Sequence, residues 1–171
     1  MSRNIEIKAR VRDFEEIRRR AEGLSAAPCE IIPQEDIFFT TPKGRLKLRE
    51  LPGGRGQLIY YERPDQEGPK RSEYYIFETD DPGNLRLALS RAYGVRGVVK
   101  KTRYLYLAGQ TRIHLDDVQG LGQFMELEVV MREGQTDAEG QAIAEDLMRA
   151  LGVEIGDLLE GAYMDLLEGH A

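Results

Sequence analysis

About eight short segments of this chain alternate apolar and polar side chains with a period of two, and in most of them the polar face is built from Lys and Arg. That period sends successive side chains to opposite faces of a strand, so the chain must make a sheet with one apolar and one charged face. In the first segment, roughly Arg3 to Val11, Ile5, Ile7, Ala9 and Val11 point one way and Asn4, Glu6, Lys8 and Arg10 the other. A short second strand is expected from Asp36 to Thr41, before the turn residues Pro42, Lys43 and Gly44. RLKLR then sets Arg45, Lys47 and Arg49 opposite Leu46 and Leu48, PGGRG turns a hairpin, and QLIYYER returns to Arg63. Beyond the polar loop PDQEGPK, RSEYYIFET places Arg71, Glu73, Tyr75 and Phe77 on one side. VVKKTRYLYL carries Lys101 and Arg103 on a shared face, QTRIHLDDV carries Arg112, His114 and Asp116, and QFMELEVV carries Glu126 and Glu128. Strands joined mostly by short connections favour a meander that closes on itself. The expected fold class is mainly β (α+β), a closed eight-stranded antiparallel barrel or tunnel with helices packed on its outside.

Helix signals fill the gaps. Asp13 with Glu16 has the form of a capping box, and Phe14, Ile17, Ala21 and Leu24 make an apolar stripe behind it. Asp81-Pro82 opens a second helix that Gly94 stops, and Thr136 with Glu139 caps a third that Gly152 ends. A last helix is expected from about Ile155, carrying Leu158, Leu159, Tyr163, Leu166 and Leu167. At 171 residues the chain suits one domain spanning 1–171. Neither a membrane-spanning stretch nor a signal-peptide core stands out, and Cys29 is the only cysteine, without zinc spacing. A soluble, cytoplasmic protein is the expectation. A homodimer is compatible with the pattern, which does not fix the oligomeric state.

The net charge of −6 argues against nucleic acid as a partner, yet the chain has 24 Lys and Arg. Their placement leaves two readings. The charged face is either the solvent side of an ordinary half-exposed sheet or the lining of a hydrated cavity, and alternation alone does not choose. In the second case the facing cations would repel by roughly several kcal/mol even at an effective dielectric near 20, so they call for a compact polyanion. Arg forks match phosphate oxygens, and carboxylates gathered among them make sense as ligands for Mg²⁺ or Mn²⁺. Cations with a carboxylate–metal cluster amount to a triphosphate site.

The residues also carry a resemblance. NIEIK at 4–8 resembles the ExExK signature on the first strand of the CYTH superfamily, the triphosphate tunnel metalloenzymes, which joins class IV adenylyl cyclases to thiamine and inorganic triphosphatases. KLR at 47–49, Arg63, RSE at 71–73, KKTR at 100–103, HLD at 114–116, ELE at 126–128 and the closing AYMDLL follow in the family's order. The resemblance implies that Glu6, Glu126 and Glu128 hold the metal. It implies that Lys8, Arg10, Lys47, Arg49, Arg63, Arg71, Lys101, Arg103 and Arg112 hold phosphates. Glu6, Lys8, Lys101 and Arg103 are the expected catalytic set, while Glu73 and Asp116 match acidic positions that orient cations or assist a metal. Asn4 departs from the pattern by standing where the family has its first Glu; its amide oxygen is a weaker, uncharged ligand. The opening RNIEIKAR resembles a recurrent class IV cyclase-like variant. The implied function is conversion of ATP to cyclic AMP and pyrophosphate. Hydrolysis of thiamine, nucleoside or inorganic triphosphate is the alternative, and a non-catalytic polyphosphate- or nucleotide-binding module is a third reading.

Several features are discounted. PGGRG lacks the GK[ST] ending of a phosphate loop and leads into a strand. His114 reads as a structural, hydrogen-bonding histidine ahead of a proton shuttle. The tyrosines at 60, 61, 74, 75, 104 and 106 read mainly as barrel packing, with Tyr61 or Tyr75 as candidates to line an organic substituent.

Overall fold

The computed structural model describes Ser2 to Gly169. Eight antiparallel strands close into a barrel: β1 (Ser2–Arg10), β2 (Glu30–Phe39), β3 (Arg45–Leu51), β4 (Arg55–Glu62), β5 (Lys70–Thr79), β6 (Val95–Ala108), β7 (Thr111–Val118) and β8 (Gly122–Val130). Their order round the barrel is β1-β5-β4-β3-β2-β6-β7-β8, with β8 paired back to β1. Closure leaves no strand edge unpaired. It also decides which face is inside.

The core lies outside the barrel wall. Ile5, Ile7 and Ala9 of β1 point outward and are fully buried under α1 (Phe14–Leu24) and α3 (Asp137–Leu151), with Ile113 and Leu115 of β7 and Leu127 and Val129 of β8. Covering that apolar surface supplies the main drive for folding, and it forces the alternate, charged residues inward. Both helices are capped as their sequences predict. Asp13 accepts from the Glu16 backbone N–H, and Thr136 and Glu139 form a reciprocal capping box. The helix α2 (Pro82–Tyr93) starts from Asp81 with Pro82 in its first turn, stops at Gly94, and packs on β2, β3 and β4.

Two expectations need correction. The second strand starts at Glu30, six residues before the expected Asp36. Pro33 lies where β2 pairs with β6 alone, because pairing with β3 begins only at Glu35, so its missing N–H costs no ladder bond on that side. The last helix is broken in two. A 3₁₀ turn at Ile155–Asp157 is followed by an extended stretch and then by α4 (Tyr163–Gly169). Gly161, at φ 82°, turns the chain, and Asp165 caps the new start by accepting from the Ala162 N–H at 2.6 Å. The extended stretch instead reaches β1, where the Leu159 N–H donates to the Lys8 carbonyl at 2.9 Å. Among the described residues no helix is long and apolar enough to cross a membrane.

Candidate triphosphate tunnel

The barrel encloses a cavity of about 260 Å³, near the small end of the range for small-molecule sites. One end is stoppered. Tyr163 and Met164 of α4 pack there with Phe38, Val99, Val118 and Phe124. The other end carries an apolar collar of Ile32, Leu51, Ile76 and Leu105 beside Tyr74.

Between the two ends the lining is ionic. Asn4, Glu6 and Lys8 enter from β1, Lys47 and Arg49 from β3, and Arg63 from just beyond β4. Lys101 and Arg103 enter from β6, Arg112 and His114 from β7, and Glu126 and Glu128 from β8. Pairing aligns Glu6 with Glu128, and Glu128 in turn with Arg112; one step along, Lys8 aligns with Glu126 and Glu126 with His114. Residues distant in sequence therefore form rows across one wall.

Two buried carboxylates aim the cations. Asp36 accepts from Arg49 Nε and NH2 at 2.8 and 2.9 Å, with Lys47 at 3.3 Å and Lys101 at 3.7 Å. Asp116, fully buried, accepts from Arg103 Nε and NH2 at 2.8 and 2.7 Å and from the Tyr163 hydroxyl at 2.8 Å. Such forks fix the guanidinium planes. Burial works to raise both acids, but Arg49, Lys47 and Lys101 hold Asp36 well below the carboxylate range, and Arg103 holds Asp116 down to about 2. Lys8 sits under Tyr163, its ammonium 4.1 Å from the ring centroid, and donates to the Gly161 carbonyl at 3.0 Å. Burial outweighs Glu126 and pushes Lys8 down to about 7. Lys101 is pushed down by burial and next by Arg103.

The expected residues divide. Glu6, Lys8, Lys47, Arg49, Arg63, Lys101, Arg103, Arg112, Glu126, Glu128 and Asn4 share the cavity. Arg10 does not: it is exposed at the rim, its guanidinium 5.5 Å from the Phe124 ring centroid. Arg71 and Glu73 also point outward, paired with each other at 2.5 Å. Ser72, Tyr74 and Ile76 are the inward side chains of β5. The physical reason is that no helix packs extensively on β5, so the face with Arg71, Glu73, Tyr75 and Phe77 turns to water, and the face with Ser72, Tyr74 and Ile76, which also carries the buried Lys70, turns in. Tyr75 is likewise outside, while Tyr61 lines the cavity. Asp116 has both oxygens engaged and does not line the cavity, which fits a role in orienting Arg103 and Tyr163 and not in holding a metal. The hydrogen bond expected of His114 is not made to protein: its Nδ1 is buried without a partner. Sequence reasoning missed Asp36, although its parity with Gln34 and Phe38 marks it as inward once β2 is extended. It also missed the Gly161 carbonyl, which accepts from both Lys8 and Arg63.

Among the described residues no three His, Cys, Asp or Glu side chains form a ready metal cage. Glu6 accepts from Arg63 at 2.7 Å, Glu126 lies 3.5 Å from Lys8, and Glu128 pairs with Arg112. The donors nevertheless suit a hard divalent ion. All are oxygens, and Asn4 Oδ1 is buried with no hydrogen-bond partner. Glu6 is pushed up by burial and, against Arg63, by the charges of Glu128 and Glu126, a repulsion that a cation would relieve.

A family model for the CYTH domain matches residues 2–163. The chain belongs to the CYTH domain family. Its CYTH fold is similar to the PH1012 protein of Pyrococcus horikoshii, at 32% identity and TM-score 0.85, covering 95% of this chain and 98% of that one. It is 22% identical over 173 residues to "Putative adenylate cyclase MJ0240" of Methanocaldococcus jannaschii, covering 95% and 97% of the two chains. HpAC1 of Hippeastrum, a protein with a dominant triphosphatase activity, shares the CYTH architecture at TM-score 0.65 and 14% identity, with 90% and 89% coverage.

Proposed function

We propose that this CYTH domain is a metal-dependent enzyme acting on an organic triphosphate, with conversion of ATP to cyclic AMP and pyrophosphate as its reaction. The observation that carries the reading is the junction of an ionic tunnel with an apolar collar. Lys8, Lys47, Arg49, Arg63, Lys101, Arg103 and Arg112 offer a triphosphate chain more charge than the tunnel acids balance. Ile32, Leu51, Ile76, Leu105 and Tyr74 give its organic substituent an apolar seat at the open mouth. Inorganic triphosphate would leave that seat unused.

Phosphoryl chemistry rests on positioning and on neutralising charge. Arg103 and Arg49, locked by Asp116 and Asp36, provide rigid forks for equatorial oxygens. Lys8 and Lys101 provide buried ammonium groups beside them, and Lys8 is protonated as phosphate charge approaches. Glu6, Glu126 and Glu128, with Asn4, would hold Mg²⁺ or Mn²⁺, which supplies neutralisation of phosphate charge when bound. In cyclisation the ribose 3′-oxygen bonds to the α-phosphorus, the bond to pyrophosphate breaks, and the hydroxyl proton passes to solvent water. In hydrolysis, the second reading, water attacks a terminal phosphorus in the same cage; the described activity of the HpAC1 relative supports keeping it.

The test is to incubate the protein with ATP, thiamine triphosphate or inorganic triphosphate, with Mg²⁺ or Mn²⁺, and to resolve the products. Cyclic AMP with pyrophosphate supports cyclisation, and orthophosphate from an organic triphosphate supports the hydrolytic reading. Turnover of inorganic triphosphate alone contradicts the collar's role, and no turnover contradicts the enzyme reading.

A further inference from the structure

Tyr163 closes one end of the tunnel, and closing it needs only an apolar side chain such as that of the adjacent Met164. The contacts of Tyr163 go further. Its ring, 4% exposed, has the Lys8 ammonium 4.1 Å and the Lys101 ammonium 4.9 Å from its centroid, and it packs on Phe124 with centroids 5.3 Å apart. Its hydroxyl donates to Asp116 at 2.8 Å, on the oxygen that also takes Arg103 Nη2. Two residues earlier, the Gly161 carbonyl accepts from Lys8 and Arg63. Lys8, Arg63, Lys101 and Arg103 come from separate parts of the barrel wall, yet all lean on the start of α4, directly or through Asp116. The helix is itself pinned to the barrel. Asp165 accepts from Arg45 at 2.7 Å and from Arg96 at 2.5 Å, and Glu168 accepts from Arg96 at 2.8 Å.

An aromatic face suits cations that must receive phosphate. A carboxylate in contact with Lys8 or Lys101 would hold the ammonium but repel an incoming anion. The face of a phenol attracts the same cation through its quadrupole, carries no net charge and uses none of the ammonium protons. Glu126 at 3.5 Å from Lys8 and Asp36 at 3.7 Å from Lys101 stand beyond ordinary hydrogen-bond distance. Lys8 donates one of its three N–H bonds to Gly161, which leaves others for a ligand. We propose that Tyr163 is a positioning residue of the phosphate site. Its ring fixes the Lys8 and Lys101 ammonium groups, and its hydroxyl fixes the Asp116 carboxylate that holds Arg103, so the stopper sets three of the cations that meet the triphosphate. This rests on the triphosphate reading above.

The experiment is calorimetric titration of the protein with a non-hydrolysable ATP analogue and Mn²⁺. Tyr163→Phe and phenylalanines with one, two and three ring fluorines at position 163 keep the ring's shape while draining negative charge from its face. Analogue binding should weaken stepwise, by at least about tenfold across the series, whereas a ring that only fills space would show no trend. Tyr163→Phe alone loses the bond to Asp116 and should weaken binding by about two- to fivefold; no loss overturns the hydroxyl's part. Tyr163→Leu, checked for folding by its melting transition, should lose at least about tenfold. Lys8→Met should then cost markedly less in the Tyr163→Leu background than in the parent, because the ring acts through Lys8. Equal affinity across the fluorine series, in a protein whose parent binds the analogue, overturns the positioning role and leaves the triphosphate reading standing. A parent protein that does not bind the analogue with Mn²⁺ overturns both.

Discussion

Replacing Asp116 with Asn removes one charge from a deeply buried ion pair of the tunnel and changes almost no volume. Asp116 is fully buried, its two oxygens take both donors of the Arg103 fork, and one of them also takes the Tyr163 hydroxyl. An amide keeps a single acceptor oxygen and turns an NH₂ toward groups that are themselves donors. Breaking a buried pair by removing one partner costs about 3–5 kcal/mol, because the surviving charge stays buried. One retained acceptor, and the nearby Glu126 at 3.8 Å from Arg103, place Asp116→Asn near the lower end, at about 3 kcal/mol. For a chain of this length that corresponds to a fall of about 6–12 °C in melting temperature. Urea unfolding monitored by circular dichroism gives the free energy, with an unchanged denaturant slope showing that the folded state is intact. Adding Arg103→Met to Asp116→Asn should recover part of the loss, since no unpaired charge remains. A loss below about 1 kcal/mol, or a double variant no more stable than Asp116→Asn, would refute the assignment of Asp116 as the counter-charge that holds Arg103 in place.

Three further outcomes are expected. Glu128→Gln should abolish turnover with little change in melting temperature, because it is nearly isosteric and removes a charged metal ligand; near-normal activity at saturating Mg²⁺ or Mn²⁺ would contradict the metal role. Asn4→Glu should tighten metal binding and lower the metal concentration for half-maximal activity, and an unchanged metal titration would remove position 4 from the ligand set. Lys8 is held down to about 7 by burial, against 10.5 as the usual value, with Lys47 and Lys101 shifted the same way. Between those pH values the unfolded chain binds more protons, so stability should rise from about pH 7 toward pH 9.5. Calorimetric unfolding at several pH values checks this, and Lys8→Met should flatten the slope; a profile that falls over that window in both proteins would contradict it.

Much of the site was legible because β1, β3, β7 and β8 each set a mainly apolar face against a charged one, and Lys101 and Arg103 share one face of β6. The helical stripes of Phe14–Leu24 and Asp137–Leu151 say that the apolar side must be covered, but that alone suits a solvent-facing charged sheet too; it is the closure implied by the family resemblance that turns Glu6, Lys8, Lys101, Arg103, Glu126 and Glu128 inward. The phase of β5 was not legible from alternation. Either of its faces carries charge and aromatic rings, and the outcome depends on helix cover, a tertiary fact. The start of β2 was obscured by Pro33, which discourages a strand reading unless the pairing partner on each side is known, so Asp36 stood at the end of the expected strand and its inward role was not recognised. The stopper was missed for a different reason. Part of its contribution to the cation network, beside the Tyr163 ring, is the Gly161 backbone carbonyl, which no residue pattern advertises, and the apolar spacing of Leu158, Leu159 and Tyr163 reads as one helix until Gly161 breaks it.

The central claim is that cations from separate strands converge on one triphosphate together with a divalent ion. Thermal unfolding of the protein with a non-hydrolysable ATP analogue and Mn²⁺ tests it most directly. A ligand that binds only the folded state at about 100 times its dissociation constant adds about 2.7 kcal/mol, equivalent to a rise of about 5–11 °C here. The account predicts a rise of that size with analogue and metal together, a smaller one with either alone, and a marked loss of the effect in Arg49→Ala. No shift with analogue and metal at saturating concentrations would contradict it.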